Sequence, residues 1–304
     1  MKPEEAKEIN NELFTDKDKI KAFDKKESKR IAKRNKIIAI VSCAVVAFAI
    51  VLFMVIIPTI KYNSAIALID EGDYVGAYEA LSAIDWFKDS EEKMKEIRAK
   101  KNLSKMKDVK AGDYITYGAY EQDNDTGNGK EEIEWVVLEV KDNKALVISR
   151  YALDCKPYNT QYEGTTWEKC SLRSWLNSNF IADAFTVDER NYICETTVTA
   201  DKNPGYSIPI PGNDTQDEIF LLSINEVEKY FPSYNGRQCV ATEYAINKGA
   251  DIINALCWWW LHSPGSLQDR AAFVNDSGVV EEGGLYVNND WAAVRPALWI
   301  NLES

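Results

Sequence analysis

One histidine, His262, stands in 304 residues. A multi-histidine metal site is therefore excluded, and histidine-based acid–base catalysis has a single place to come from. None of the six cysteines falls in a CxxC spacing, so the paired-thiolate signature of a zinc site is missing. Basic residues are also short: 36 Lys+Arg against 48 Asp+Glu leave a formal charge of −12. Residues 1–36 hold 12 basic and 8 acidic side chains, so the deficit falls entirely on the residues after 60. A nucleic-acid binder needs basic surface to displace counterions from phosphates, and nucleic acid is not an expected partner of so acidic a body. The longest absence is of charge itself. Ile37 to Ile60 runs 24 residues without an ionisable acid or base.

At 1.5 Å per residue that run reaches about 36 Å, enough for a hydrocarbon core of about 30 Å. It exceeds the apolar stretch of a cleavable signal peptide, so residues 37–60 are expected to be a transmembrane helix crossing once. Lys25, Lys26, Lys29, Arg30, Lys33, Arg34 and Lys36 crowd its N-terminal flank, and only Lys61 follows closely. Positive charge stays inside, so residues 1–36 are expected to form a cytoplasmic charged tail, partly helical and open to a cytoplasmic partner. Pro58, near the outer end, is expected to be tolerated because the helix is about to finish there. Residues 61–101 then carry helical stripes at Tyr62–Ile69 and Tyr74–Ile84, broken at Gly72-Asp73, and a third helix from Asp89 to about Lys100. The pair resembles one tetratricopeptide-like hairpin. A lone unit cannot build a repeat groove, so a short helical stalk is expected.

From residue 102 to 304 the chain turns to short β-branched and aromatic runs with frequent turn residues. GDYITYGAYEQD, IEWVVLEV and KALVISRYALD read as strands, and residues 171–185 as a helix. IFLLS reads as a strand before a short helix INEVEKYF, a further helical piece follows at ATEYAINKGA, and CWWWL, AAFVN, GLYVN and PALWIN read as closing strands. Without a βαβ rhythm the class is α+β, as one extracellular domain over 102–304.

Several stretches carry a resemblance: GDYITYGAYEQDNDTGNGKEEIEWVVL, ISRYALDCKPYN with WEKCSLRSWLN, ADKNP with PGNDTQDEIFLLS, CWWWLHSPG and VRPALWIN. Together they resemble an uncharacterised bacterial domain family of membrane-anchored and secreted proteins. The closing arrangement looks like the C-type-lectin-like fold, shared by formylglycine-generating enzymes and phage-type variable receptor-binding proteins. Where that family usually carries Arg after the Trp run, this chain has His262. Enzymes and pure binders both use this scaffold, so the resemblance leaves function open.

The residues themselves give few chemical signatures. Asp123 to Glu134 matches a Ca²⁺-binding loop at Asp123, Asp125 and Glu134, but Gly127 offers no side-chain oxygen and Asn128 replaces the turn glycine. A solvated turn is the expected reading, with Ca²⁺ the only cofactor to consider. Cys155 and Cys170 bracket a 14-residue loop, and a disulfide there would contribute about 3 kcal/mol; buried free thiols are the alternative. His262 and Ser263 are neighbours on a strand and face opposite ways, the wrong geometry for a nucleophile and its base. Trp258 and Trp260 are expected to share a face of a central strand, and Arg295, held extended before Pro296, to be structural. The amide- and aromatic-rich stretch offers ligand contacts at Asp269, Asn275, Tyr286, Asn288, Asp290 and Trp291. The expected function is a membrane-tethered, non-catalytic recognition domain for a glycan or protein ligand; a carboxylate-based envelope hydrolase and a structural scaffold are the alternatives.

The topology is open to cysteine-accessibility labelling on intact cells. Ser304→Cys is expected to react with an impermeant maleimide above the parent's background, and Ser28→Cys to react only after lysis. The opposite pattern would reverse the orientation.

Overall fold

No proline or glycine occurs between residues 4 and 57, and nothing in that stretch stops a helix. The computed structural model describes residues 3–303, with side chains for Lys21 and from Asp24 onward. It divides into two units, Met1–Ile66 and Ala67–Ser304. In the first, α1 runs unbroken over Pro3–Val51, passes through a wide π turn at Leu52–Ile56 and continues as α2, Ile57–Glu71. The tail expected to be only partly helical is therefore helical from Pro3. Asp24–Glu71 is long and apolar enough to cross a membrane by length and composition.

The helix does not finish near Pro58, contrary to the reading from sequence. Proline lacks the N–H that an α-helix interior requires, yet here it is the second residue of α2, just past a turn where hydrogen bonding has already shifted to i→i+5. Thr59 Oγ1 adds a bond to Val55 O at 2.6 Å. The wide turn absorbs the missing donor, and the helix stops instead at Gly72, whose φ of +81° suits only a residue without Cβ.

The second unit begins with a helical hairpin, α3 (Tyr74–Ser82) and α4 (Ser90–Ser104). Asp73 caps α3 by accepting from Gly76 N at 2.9 Å. The hairpin does not stand apart as a stalk. The Arg98 guanidinium of α4 makes a two-pronged bond to Glu189, with Nε to Oε1 at 2.8 Å and Nη2 to Oε2 at 2.6 Å. Lys101 reaches Glu132 at 3.0 Å.

The strands expected after residue 113 are β1 (Tyr114–Tyr120), β2 (Glu131–Lys141) and β3 (Lys144–Ser149), followed by the short β4 (Asp154–Cys155). The helical stretch near residue 171 divides into α5 (Ser171–Trp175), a π turn and α6 (Ile181–Ala184), with α7 at Val187–Arg190. Next come β5 (Ile193–Cys194), β6 (Thr196–Val198), β7 (Thr215–Asp217), α8 (Ile224–Tyr230), α9 (Tyr234–Arg237), β8 (Cys239–Val240) and α10 (Glu243–Asn247). The last strands are β9 (Ile252–Ile253), β10 (Leu256–Cys257), β11 (Trp259–Pro264), β12 (Arg270–Val274), β13 (Val280–Tyr286), β14 (Ala293–Val294) and β15 (Ala297–Asn301).

Two five-stranded sheets, β1-β2-β3-β15-β5 and β13-β12-β11-β14-β4, form the body, with smaller sheets β8-β10-β9 and β6-β7 beside them. The class is α+β. Trp135, Trp259 and Trp260 are fully buried, and each indole N–H finds a carbonyl: Tyr117 O, Arg237 O and Lys156 O respectively. Such pairing removes the penalty of burying a donor. Trp258 precedes β11 instead of lying in it, and it is half-buried, stacked on Phe273.

Ile219–Leu222 is not a strand, although its composition says so. It meets the sheets at isolated points: Phe220 bridges Ala297 of β15, and the Leu222 carbonyl accepts from His262 N of β11 at 3.0 Å. The Asn177 side chain replaces the ladder by accepting from Glu218 N and Ile219 N and donating to Ile219 O. Residues 219–222 are buried throughout, so their apolar character reflects threading through the core.

Glu189 ties three pieces together. It pairs with Arg98, completes a capping box with Thr186, and its carbonyl accepts from Tyr117 Oη at 2.7 Å. Glu189→Ala leaves the largely buried guanidinium unpaired and is expected to cost roughly 3 kcal/mol. Denaturant unfolding of the full chain in detergent measures this, and a loss below about 1 kcal/mol would mean the pair is not what seats α4.

Candidate functional site

Arg295 lies in the crossing from β14 to β15, between the two large sheets. It is 3% exposed. Its Nε donates to Ser149 O at 2.9 Å, and its guanidinium lies 5.0 Å from the Trp259 ring and 5.3 Å from that of Phe231. Its Nη1 has no hydrogen-bond partner, which is costly for a buried guanidinium.

Above Arg295 opens a cavity of about 640 Å³, whose walls come from separate parts of the domain. Tyr114 opens β1, Val136–Leu138 belong to β2, Arg150 and Tyr151 follow β3, Tyr230 and Phe231 end α8, Asn235 lies in α9 with Gln238 just after it, and Val240 is in β8. Arg150 lies 5.0 Å from the Tyr114 ring and 5.1 Å from the Tyr151 ring. Its Nη1 is held by Glu134 at 2.8 Å. The result is a cation between two aromatic faces, with two amides across the opening. Volume and lining suit a small ligand: flat rings for apolar faces and a few polar groups for orientation.

Beneath this wall, Cys239 of β8 faces Cys257 of β10 in direct register. Burial opposes ionisation of Cys239. The neighbouring Cys257 thiol and the charge of Arg295 outweigh it and hold the Cys239 thiol below the usual range. Cys257 is held protonated by the same pairing.

The six ligand candidates do not gather on one face. Asp269 and Tyr286 meet at one end of the β12–β13 hairpin, where the Arg270 guanidinium lies 4.4 Å from the Tyr286 ring and Tyr162 packs edge-on at 5.4 Å. Tyr286 is 46% exposed there. Asn275 sits at the opposite tip, its Oδ1 accepting from Ser277 N and Val279 N and its Nδ2 donating to Glu281. Trp291 packs edge-on against Trp258 at 4.9 Å. Asn288 and Asp290 are exposed in the turn that follows β13, and the Asp290 carbonyl accepts from the Cys155 thiol. Only the Asn275 turn adjoins the cavity, through the Gln238 side chain donating to Asp276 O at 3.1 Å.

Cys155 and Cys170 are free thiols, not a disulfide. Cys155 points to the Asp290 and Ala292 carbonyls, while Cys170 bonds the Trp167 carbonyl and accepts from Arg173 N. Burial pushes both up to about 12. The Ca²⁺ set Asp123, Asp125 and Glu134 is not assembled either. Asp125 turns inward to Gly127 N, and Glu134 belongs to Arg150 on β2. His262 lies 3.7 Å from Glu226, while the Ser263 hydroxyl accepts from Ile224 N, so the two side chains serve different neighbours.

Sequence reasoning passed over Tyr114, Arg150, Tyr151, Tyr230 and Gln238 because they are scattered along 125 residues. The available signal was Arg150-Tyr151, a bulky pair directly after a buried strand. Arg295→Ala removes the Ser149 bond and two ring contacts together. It is expected to lower stability by about 3 kcal/mol and to broaden unfolding, read by near-UV circular dichroism.

No curated protein and no solved structure matches the chain. A family model does, over residues 142–302, from the β2–β3 turn through β15. That span holds Arg295, both facing cysteines and most of the cavity wall, and it is just over half of the chain. The chain belongs to the family of the domain of unknown function DUF6273.

Proposed function

We propose that this protein displays a non-catalytic glycan-recognition domain on the outer side of a membrane, with residues 1–36 inside. The lysine- and arginine-rich flank before Ile37 supports that orientation. The observation that carries the recognition reading is the cavity wall of Tyr114, Arg150 and Tyr151 facing Asn235 and Gln238. Sugar rings present apolar C–H faces that lie flat on tyrosine, and their hydroxyls pair with amide side chains. Arg150 adds a donor for an acidic sugar. A C-type-lectin-like reading of the domain draws support from the loop-rich β11–β13 region and from β15 returning into the middle of the first sheet.

A glycan array probed with the full chain in detergent tests this reading. Tyr151→Ala with Asn235→Ala is expected to reduce binding at least about tenfold, the effect of losing one stacked ring and one hydrogen bond. Both side chains line the opening, so the melting temperature is expected to stay within a few degrees. The triple variant Tyr286→Ala, Asn288→Ala, Trp291→Ala is expected to bind normally. Loss of binding in the triple variant alone would move the seat to the hairpin end. Turnover of a bound glycan would make the protein an enzyme.

A further inference from the structure

The loop 121–130 closes the β1–β2 hairpin, and Tyr120 pairs with Glu131 across its neck. Glu121 follows Tyr120 directly out of the strand, and the loop turns it and Asp123 toward Glu131. One carboxylate oxygen from each of the three lies within 4.8 Å of one from each of the others. Among the described residues none of the three forms an ion pair, although two lysines stand close in sequence or space. Lys130 turns away to Asp183, and Lys101 is taken by Glu132.

Glu121 points to a missing ligand. It is only 7% exposed. Its Oε1 is shielded from solvent and meets no hydrogen-bond donor. A buried carboxylate beside two others is costly unless something positive joins it.

We infer that Glu121, Asp123 and Glu131 bind a divalent cation, with Ca²⁺ as the occupant. Ca²⁺ is a hard cation that takes oxygen ligands at about 2.4 Å, so oxygens sharing one ion lie no more than about 4.8 Å apart, a condition that this trio meets. The remaining positions fall to loop carbonyls and water. Glu131 Oε2 already accepts from Gln122 N and Asp123 N, and Asp123 from Asp125 N and Asn128 Nδ2. The loop is thus fixed around two of the carboxylates before an ion arrives, and each retains lone pairs. Three carboxylates on a surface loop fit an external site with Kd of about 10⁻⁴–10⁻³ M. The site lies outside the 142–302 match and does not depend on what the cavity binds.

Terbium luminescence and thermal unfolding of the full chain in detergent, after chelator treatment, provide the test. Tb³⁺ is expected to show saturable emission sensitised by the adjacent Tyr120, displaced by Ca²⁺ in the millimolar range and far less by Mg²⁺. Ca²⁺ is expected to raise the melting temperature. Glu121→Gln should abolish both responses while leaving chelator-treated stability equal or higher, since it removes repulsion. Asp123→Asn, on the exposed loop, should weaken Ca²⁺ at least about tenfold without risk to the fold. No response to about 10 mM Ca²⁺, a range ample for a weak external site, or an unchanged response in both variants, would overturn the site. Equal displacement by Mg²⁺ would overturn the choice of Ca²⁺.

Discussion

The buried guanidinium of Arg295 is the joint on which the domain turns. It sits where the chain crosses from β14 in one large sheet to β15 in the other. Its Nε holds the carbonyl of Ser149 at the end of β3, and its plane lies near Trp259 of β11. One side chain thus spans both sheets with a directional bond on one side and a cation–aromatic contact on the other. Pro296 contributes the fixed backbone that the crossing needs, and its carbonyl accepts from Ser149 N at 2.9 Å. A charge this deep is tolerable only where neighbours hold it firmly, so the packing around it must be well formed for the fold to be unique.

The same demand explains the tryptophans. Trp135, Trp167, Trp258, Trp259 and Trp260 each donate their indole N–H to a named oxygen. Two of the acceptors, Lys156 O and Asp276 Oδ1, lie in loops, and the others lie in β1, β7 and α9, so the aromatic core ties loops and short elements together as well as filling volume. Asp217 shows how far this goes. It accepts from Trp167 at 2.9 Å and from Thr215 at 2.6 Å, and it pairs with Arg173. Loops anchored this way can carry recognition without a large regular framework.

Much of this order is legible in the sequence where a single period dominates. The uncharged run Ile37–Ile60 announces a long apolar helix, and the turn Lys141-Asp142-Asn143 between two apolar runs announces the β2–β3 hairpin. Legibility fails where the decisive partner lies far along the chain. Ile219–Leu222 reads as a strand because burial on all sides erases periodicity, while its partners are distant: Asn177 for Ile219, Ala297 for Phe220 and His262 for Leu222. Pro58 reads as close to a helix end because the π turn that accommodates it has no sequence mark of its own. The acidic loop invites a helix–loop–helix numbering, but the neighbours of Asp123 are chosen by the β1–β2 register. Glu121 and Glu131 become adjacent only once that pairing is known. The cavity wall is harder still, since β1, β3, α8 and α9 each contribute one or two residues.

The placement of β15 has a kinetic side. It lies between β3 and β5, and the bond from Arg295 to Ser149 bridges 146 positions in sequence. The loop-closure entropy of so distant a pairing must be met before its contacts repay it. Until then β3 has one partner, β2, and its other edge is a row of unpaired backbone groups flanked by Leu146, Val147 and Ile148. An open apolar edge is a template for the wrong strand. The slow step in forming this domain is therefore the arrival of one interior strand, and the interval before it is when the chain is most prone to aggregate.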